Sequence, residues 1–180
     1  MLVHFLYQVT SSVLNMVFPY YKKLSPAQRR IYLKSDGIHE VPLPDGKALH
    51  PLIPQLLSAL EHEDREQIEE ICRALARGLT SQLGVPLLRL KVLAVRPVTG
   101  SEELHGLYEL AEGRASAVIT LWMRTAKHRR VVAFRSFLRT LLHEMCHHLD
   151  YHLYTLPDSY HTEGFYKRES SLFHQLVPEA

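Results

Sequence analysis

The chain has little with which to build a covalent framework: two cysteines, Cys72 and Cys146, in 180 residues. That count excludes a small disulfide-stapled scaffold, and reduced thiols in a cytoplasmic setting are the expectation. Long hydrophobic runs are also missing. The most apolar stretch, Met1 to Phe18, is broken by His4, Gln8 and Asn15, and it carries neither a basic leader nor a small-residue cleavage site. Neither a signal peptide nor a membrane span is therefore expected. No sign of charge dominates: 21 Lys and Arg against 19 Asp and Glu leave +2, a weak lean toward anionic partners. Internal repeats, low-complexity tracts and coiled-coil heptads are absent as well. What remains is an apolar fraction of 46% and a mean hydropathy of -0.11. Those values suit one globular domain with a proper core, in a chain too short for two comfortable ones.

Histidine, by contrast, is abundant, at 12 residues. Two of these frame His143-Glu144-Met145-Cys146-His147, an H-E-x-x-H pattern. On a helix, residues four apart share a side, so both imidazoles can close on one metal ion. The intervening Glu144 can then take a proton from a metal-bound water. A five-residue match in so His-rich a chain has to be weighed by its surroundings.

Residues 1–50 are the least legible part and are set apart as an N-terminal extension, either a small appendage or an arm wrapped over the core. Within them Ser25-Pro26 signals a helix start, with Ala27 to Lys34 as a short basic helix ending near Asp36-Gly37. Val41 to Gly46 reads as a turn-rich connector. From residue 51 onward the pattern is that of the main domain, 51–180. A short helix is expected over Pro54 to Leu60, and Asp64 to Gln67 opens a longer one. Ile68, Ile71, Leu75 and Leu79 make its apolar stripe, with Cys72 packed beside them, and Gly84 and Pro86 close it. Leu87 to Val95 reads as a strand. Leu107 to Ala111, a turn at Glu112-Gly113, and Ala115 to Met123 read as an antiparallel hairpin. In its second strand Ala117, Ile119, Leu121 and Met123 point one way, Ser116, Val118, Thr120 and Trp122 the other.

The motif lies on a helix expected from about Val132 to Tyr151. Its stripe of Phe134, Leu138, Leu141, Leu142, Met145 and Leu149 leaves His143 and His147 together on a face that the core does not use. Asp150, one turn beyond His147, is a candidate acceptor for a ligand imidazole, or else a solvated surface carboxylate. His148 and His152 fall to packing or surface roles, with His148 a candidate substrate contact. A catalytic zinc takes three protein ligands and keeps a position for water. His161 is the favoured third ligand, with Glu163 or Glu169 as alternatives; the competing reading is that His161 merely caps a helix over about Thr162 to Leu176. The basic run Lys127-His128-Arg129-Arg130, extended by Arg124, Arg135 and Arg139, is read first as a solvated loop and second as a phosphate-binding patch.

His143-Glu144-x-x-His147, thirteen further residues, and then His161 with Phe165 four beyond it resemble the SprT-like zinc metallopeptidases, which include Spartan-type proteases that degrade proteins crosslinked to DNA. The likeness covers roughly residues 60–176 and is specific only over about 135–173. Thr162 stands where family members commonly carry Gly, and no Cys-rich zinc ribbon is seen. The resemblance implies an α+β zincin-like domain, with a small mainly antiparallel sheet packed on the active-site helix and a C-terminal helix following it. It implies Zn²⁺ on His143, His147 and His161, Glu144 as general base, and a polypeptide substrate. Tyr160, Tyr151 and His148 are candidates for stabilising the transition state. The strand over 115–123 would stand as the substrate-binding edge, open to β-augmentation. Two other readings remain: a metal-binding or regulatory module that cleaves nothing, and a nucleic-acid-associated protein led by the basic loop.

Overall fold

A computed structural model describes residues 18–99, 102–110 and 116–177. Its helices are α1 (Pro26–Asp36), α2 (Leu52–Glu61), α3 (Arg65–Leu83), α4 (Phe134–His152) and α5 (Glu163–Leu176), with single 3₁₀ turns at Pro19–Lys23 and Gly46–Leu49. The strands are β1 (Arg89–Val95), β2 (Val98–Thr99), β3 (Glu102–Glu103), β4 (Gly106–Glu109) and β5 (Val118–Arg124). The architecture is α+β. Readings that fall on residues 1–17 and on the Glu112-Gly113 turn lie outside the described residues.

Local signals account for most element ends. Ser25 caps α1 in a reciprocal box with Gln28, and Pro26 occupies the first turn. The Asp64 side chain accepts from Gln67 N–H to open α3, and Gly84, at φ 65°, ends it. Along α3, Ile68, Leu75 and Leu79 are wholly buried, each contributing on the order of 1.5–3 kcal/mol through apolar burial. Cys72 lies among them, as a small packed residue.

The sheet differs from the expectation of a mainly antiparallel one. Its order is β1-β5-β4, with β5 parallel to β1 and antiparallel to β4; β2 and β3 pair separately. The hairpin signal specified β4 and β5 correctly but held nothing about the direction of β1, which depends on the crossover between them. β5 is thus the central strand and not an edge. Ile119 to Met123 are buried without interruption, so the inside–outside alternation read from this strand is lost once both faces are covered.

The two outer edges are treated differently. On β1, Arg73 Nε donates to Leu90 O, Arg65 Nη1 donates to Val92 O, and Glu69 accepts from Val92 N–H at 2.7 Å. The polar side of α3 therefore occupies the backbone groups another strand would need. β4 has no strand on its outer side among the described residues, and it packs against α4.

α4 packs on β4, β5 and α5. Every residue from Leu141 to Asp150 is buried, so the face carrying His143 and His147 is not left open as the stripe suggested. α5 and the loop leading into it cover that face. α1 and the 46–49 turn pack on α5 in turn, and Gln175 clamps the connector by bonding Val41 O and Leu43 N–H at 2.8 Å each.

Candidate metal centre

His143 and His147 stand one turn apart on α4, and His161 joins them from the loop that enters α5. His161 Nε2 lies 2.9 Å from His143 Nε2 and 3.1 Å from His147 Nε2. All three side chains are buried. Of the three proposed carriers of the third ligand, His161 is the one brought into the cluster. Glu163 sits exposed in the first turn of α5, paired with Lys167 at 2.7 Å. Glu169 reaches the cluster from behind, 3.3 Å from His143 Nδ1, with its other oxygen bound by Arg139 at 3.0 Å.

The hydrogen bonds decide which way the imidazoles present themselves. Glu169 is a carboxylate and only accepts, so His143 Nδ1 carries the proton. Ser159 Oγ donates to Asp150 Oδ2 at 2.7 Å, which leaves its lone pairs for His147 Nδ1–H, also at 2.7 Å. In both rings Nε2 is then a bare lone pair. Burial and the neighbouring imidazoles hold His147 and His161 well below the ordinary histidine range, so both stay neutral. Three ring nitrogens gathered in this way, with unprotonated Nε2 on His143 and His147, suit a shared cation. A tetrahedral ion with nitrogen bonds of ~2.0–2.1 Å separates its ligands by roughly 3.3 Å, close to the spacing here. The donor set therefore fits a metal such as Zn²⁺.

Phe165 packs against all three rings, with centroid separations of 4.9, 4.8 and 5.1 Å to His143, His147 and His161. Thr162 caps α5 by accepting from Phe165 N–H at 2.9 Å. The residue after His161 thus has a local duty that a glycine side chain could not perform.

Glu144 is buried on α4 beneath β4. Burial pushes its carboxyl up to about 7, opposed by His143 and by a backbone hydrogen bond from Tyr108, while Glu169 adds to the rise. A Cβ on Gly106 would collide with Glu144 Oε1 and lie 2.8 Å from Thr140 Cγ2. Only glycine lets the strand come this near the carboxylate.

The other candidates lie around the cluster. Asp150 is fully buried, not solvated, and meets the His147 ring through Ser159 instead of directly. Burial pushes its carboxyl up to about 6 against the pull of Arg168. His148, also fully buried, is bonded to Pro86 O at 2.8 Å and to Tyr108 Oη at 3.1 Å, so both ring nitrogens have partners within the protein. Tyr151 stacks on Tyr108, and Tyr108 in turn lies beside His147. Tyr160 packs its ring against Tyr20 and Tyr32, and burial raises its phenol to about 12.

Sequence reasoning missed Ser159, Arg168, Gly106 and Tyr108. Ser159 follows Pro157-Asp158 and reads as an ordinary turn residue; Arg168 reads as a solvated helix cation; Gly106 and Tyr108 have no local mark. The basic run also divides. Arg124 pairs with Glu63, Arg139 with Glu169, and Arg135 and Arg139 lie over the Phe173 ring, leaving Lys127 to Arg130 as an exposed turn.

Fold and site together define an α+β protein with a buried three-histidine cluster able to hold a metal. No protein-family model, curated protein or solved structure matches the chain. Among the described residues, no helix is long and apolar enough to cross a membrane.

Proposed function

We propose that this protein is a zinc-dependent peptidase of zincin type, related to the SprT-like enzymes its motif resembles. The observation that carries the reading is the placement of Glu144 between two ligand histidines of a converging Nε2 cluster, directly beneath the strand edge at Gly106. His143, His147 and His161 would hold the Zn²⁺, which when bound would supply Lewis acidity and lower the pKa of a water toward ~7. Glu144, buried between the two histidines of α4, is placed to take up a proton and return it to a leaving amine. The outer edge of β4, where Glu144 accepts from Tyr108 N–H, is the one left for an extended peptide to join by displacing that contact, a role expected from the 115–123 strand before β5 proved central. The plugged edge of β1 favours the same choice.

A non-catalytic module with a closed four-ligand site finds less support. Glu169 is spent on His143 Nδ1 and Arg139, and Glu163 on Lys167. The test is metal analysis of the wild type beside His147→Ala and Glu144→Gln, together with casein hydrolysis. Near-stoichiometric zinc is expected in the wild type and Glu144→Gln, with loss in His147→Ala. Hydrolysis should fall by about 10²–10⁴ in Glu144→Gln. Wild type that takes up no zinc discards the metal, and undiminished hydrolysis by Glu144→Gln discards the mechanism.

A further inference from the structure

The three ligand rings are not backed alike. The carboxylate behind His143 is steadied by Arg139, whose side chain is one-third exposed. Behind His147 lies a longer chain of groups, all buried. Ser159 Oγ accepts from His147 Nδ1–H and donates to Asp150 Oδ2, at 2.7 Å each. Arg168 Nη2 donates to Asp150 Oδ1 at 2.7 Å and to Ser35 Oγ at 3.0 Å. Its Nη1 donates to the carbonyls of Ser35 and Ile38, both at 2.7 Å. Asp150, Arg168 and Ser35 have no solvent exposure, and Ser159 has 2%.

We propose that Ser159, Asp150 and Arg168 form a positioning relay that orients His147 and ties the metal centre to the C-terminal end of α1. Residues 26–38 then belong to the metal site. The inference rests on the metal reading above and concerns what sets the affinity of that site.

Chemistry gives every link one direction. A guanidinium only donates and a carboxylate only accepts, so Asp150 must receive both Arg168 and the Ser159 hydroxyl. The hydroxyl, its hydrogen committed, can only accept from the imidazole. His147 is thereby confined to one tautomer and one ring plane, with Nε2 free for the ion. Stability alone is a poor account of the arrangement, because a buried ion pair contributes little over well-packed apolar side chains. A chain of directed bonds that ends on a ligand nitrogen, and begins at two carbonyls more than a hundred residues away in sequence, fits positioning instead.

The test uses the full-length, zinc-loaded protein titrated with a competing chelator, and the Co²⁺-substituted form read by its visible d–d absorption. Ser159→Ala should weaken zinc binding by about 10–100-fold and shift the cobalt spectrum. Asp150→Asn should weaken it in the wild type yet add almost nothing in the Ser159→Ala background, since Asp150 acts only through the hydroxyl. Ser35→Ala, which removes one acceptor of Arg168, should weaken zinc about two- to tenfold. If Asp150→Asn does not fold, Ser159→Ala and its cobalt spectrum decide. Wild-type affinity with an unchanged spectrum in Ser159→Ala overturns the relay, as does additivity with Asp150→Asn. Wild-type affinity in Ser35→Ala overturns the tie to α1. A wild-type protein that takes up no zinc overturns the underlying metal reading, a separate outcome.

Discussion

At Gly106 a missing side chain and a catalytic candidate are in direct contact. The strand approaches Glu144 so closely that even a methyl group has no room. Gly106→Ala is therefore expected to leave the three histidines loaded with zinc while displacing the carboxylate. A displacement near 1 Å is enough to cost about 10²-fold in turnover. Casein hydrolysis measured beside zinc content checks this; unchanged hydrolysis would mean that Glu144 does not act where it now sits. His148 makes the complementary point. It adjoins His147 in sequence, but a third of a turn around the helix carries it onto Pro86 O and Tyr108 Oη, in a site whose burial lowers it to about 4. One residue of separation divides a candidate ligand from a neutral packing group.

At the scale of elements, the contact of α1 with α5 runs through Gly164. A Cβ there would meet the Asp36 carbonyl, with Ser35 O only 2.7 Å away, and Gly164 N–H donates to Asp36 Oδ1 at 3.1 Å. Gly164→Ala should force the helices apart and cost about 1–3 kcal/mol as an overpacked contact, measured by urea unfolding. An Ala variant as stable as the wild type would show that the junction yields freely. The sheet edges carry a similar lesson. Arg65, Glu69 and Arg73 look like a solvated face of α3, with Glu four residues from each Arg in turn, yet they close β1 against strand addition. β4 has no strand on its outer side among the described residues, and Glu144 lies there against Gly106 and accepts from Tyr108 N–H.

For the whole molecule, the metal and the fold are expected to be coupled. The cluster joins α4 to the loop before α5, and both are anchored to residues 18–50 through Arg168, Gln175 and the bond from Tyr20 Oη to His161 O at 3.0 Å. An ion that binds only the native state at about a thousand times its dissociation constant stabilises by roughly 4 kcal/mol. For a chain of this size that corresponds to roughly 8–16 °C in Tm. Chelation should lower Tm by that order and zinc should restore it, as read by calorimetry; a Tm indifferent to chelator would mean that the cluster holds no ion in solution.

The sequence by itself determined the helices, through their caps and apolar stripes, and the β4–β5 hairpin through its alternation. It also marked His143, Glu144 and His147, because four-residue spacing on a helix is a local property, and offered His161 with Glu163 and Glu169 as candidates for a third ligand. Convergence of the third histidine, and the choice between His161 and the two glutamates, required α5 to fold back across α4. The parallel pairing of β1, the central position of β5 and the role of Ser159, Asp150 and Arg168 came only with tertiary structure. Each depends on which distant backbone or side-chain group stands opposite, and short-range periodicity carries no record of that. The five-residue motif marked two candidate ligands on one helix; the surrounding chain, as far as the carbonyls of Ser35 and Ile38, packs and hydrogen-bonds the groups behind them.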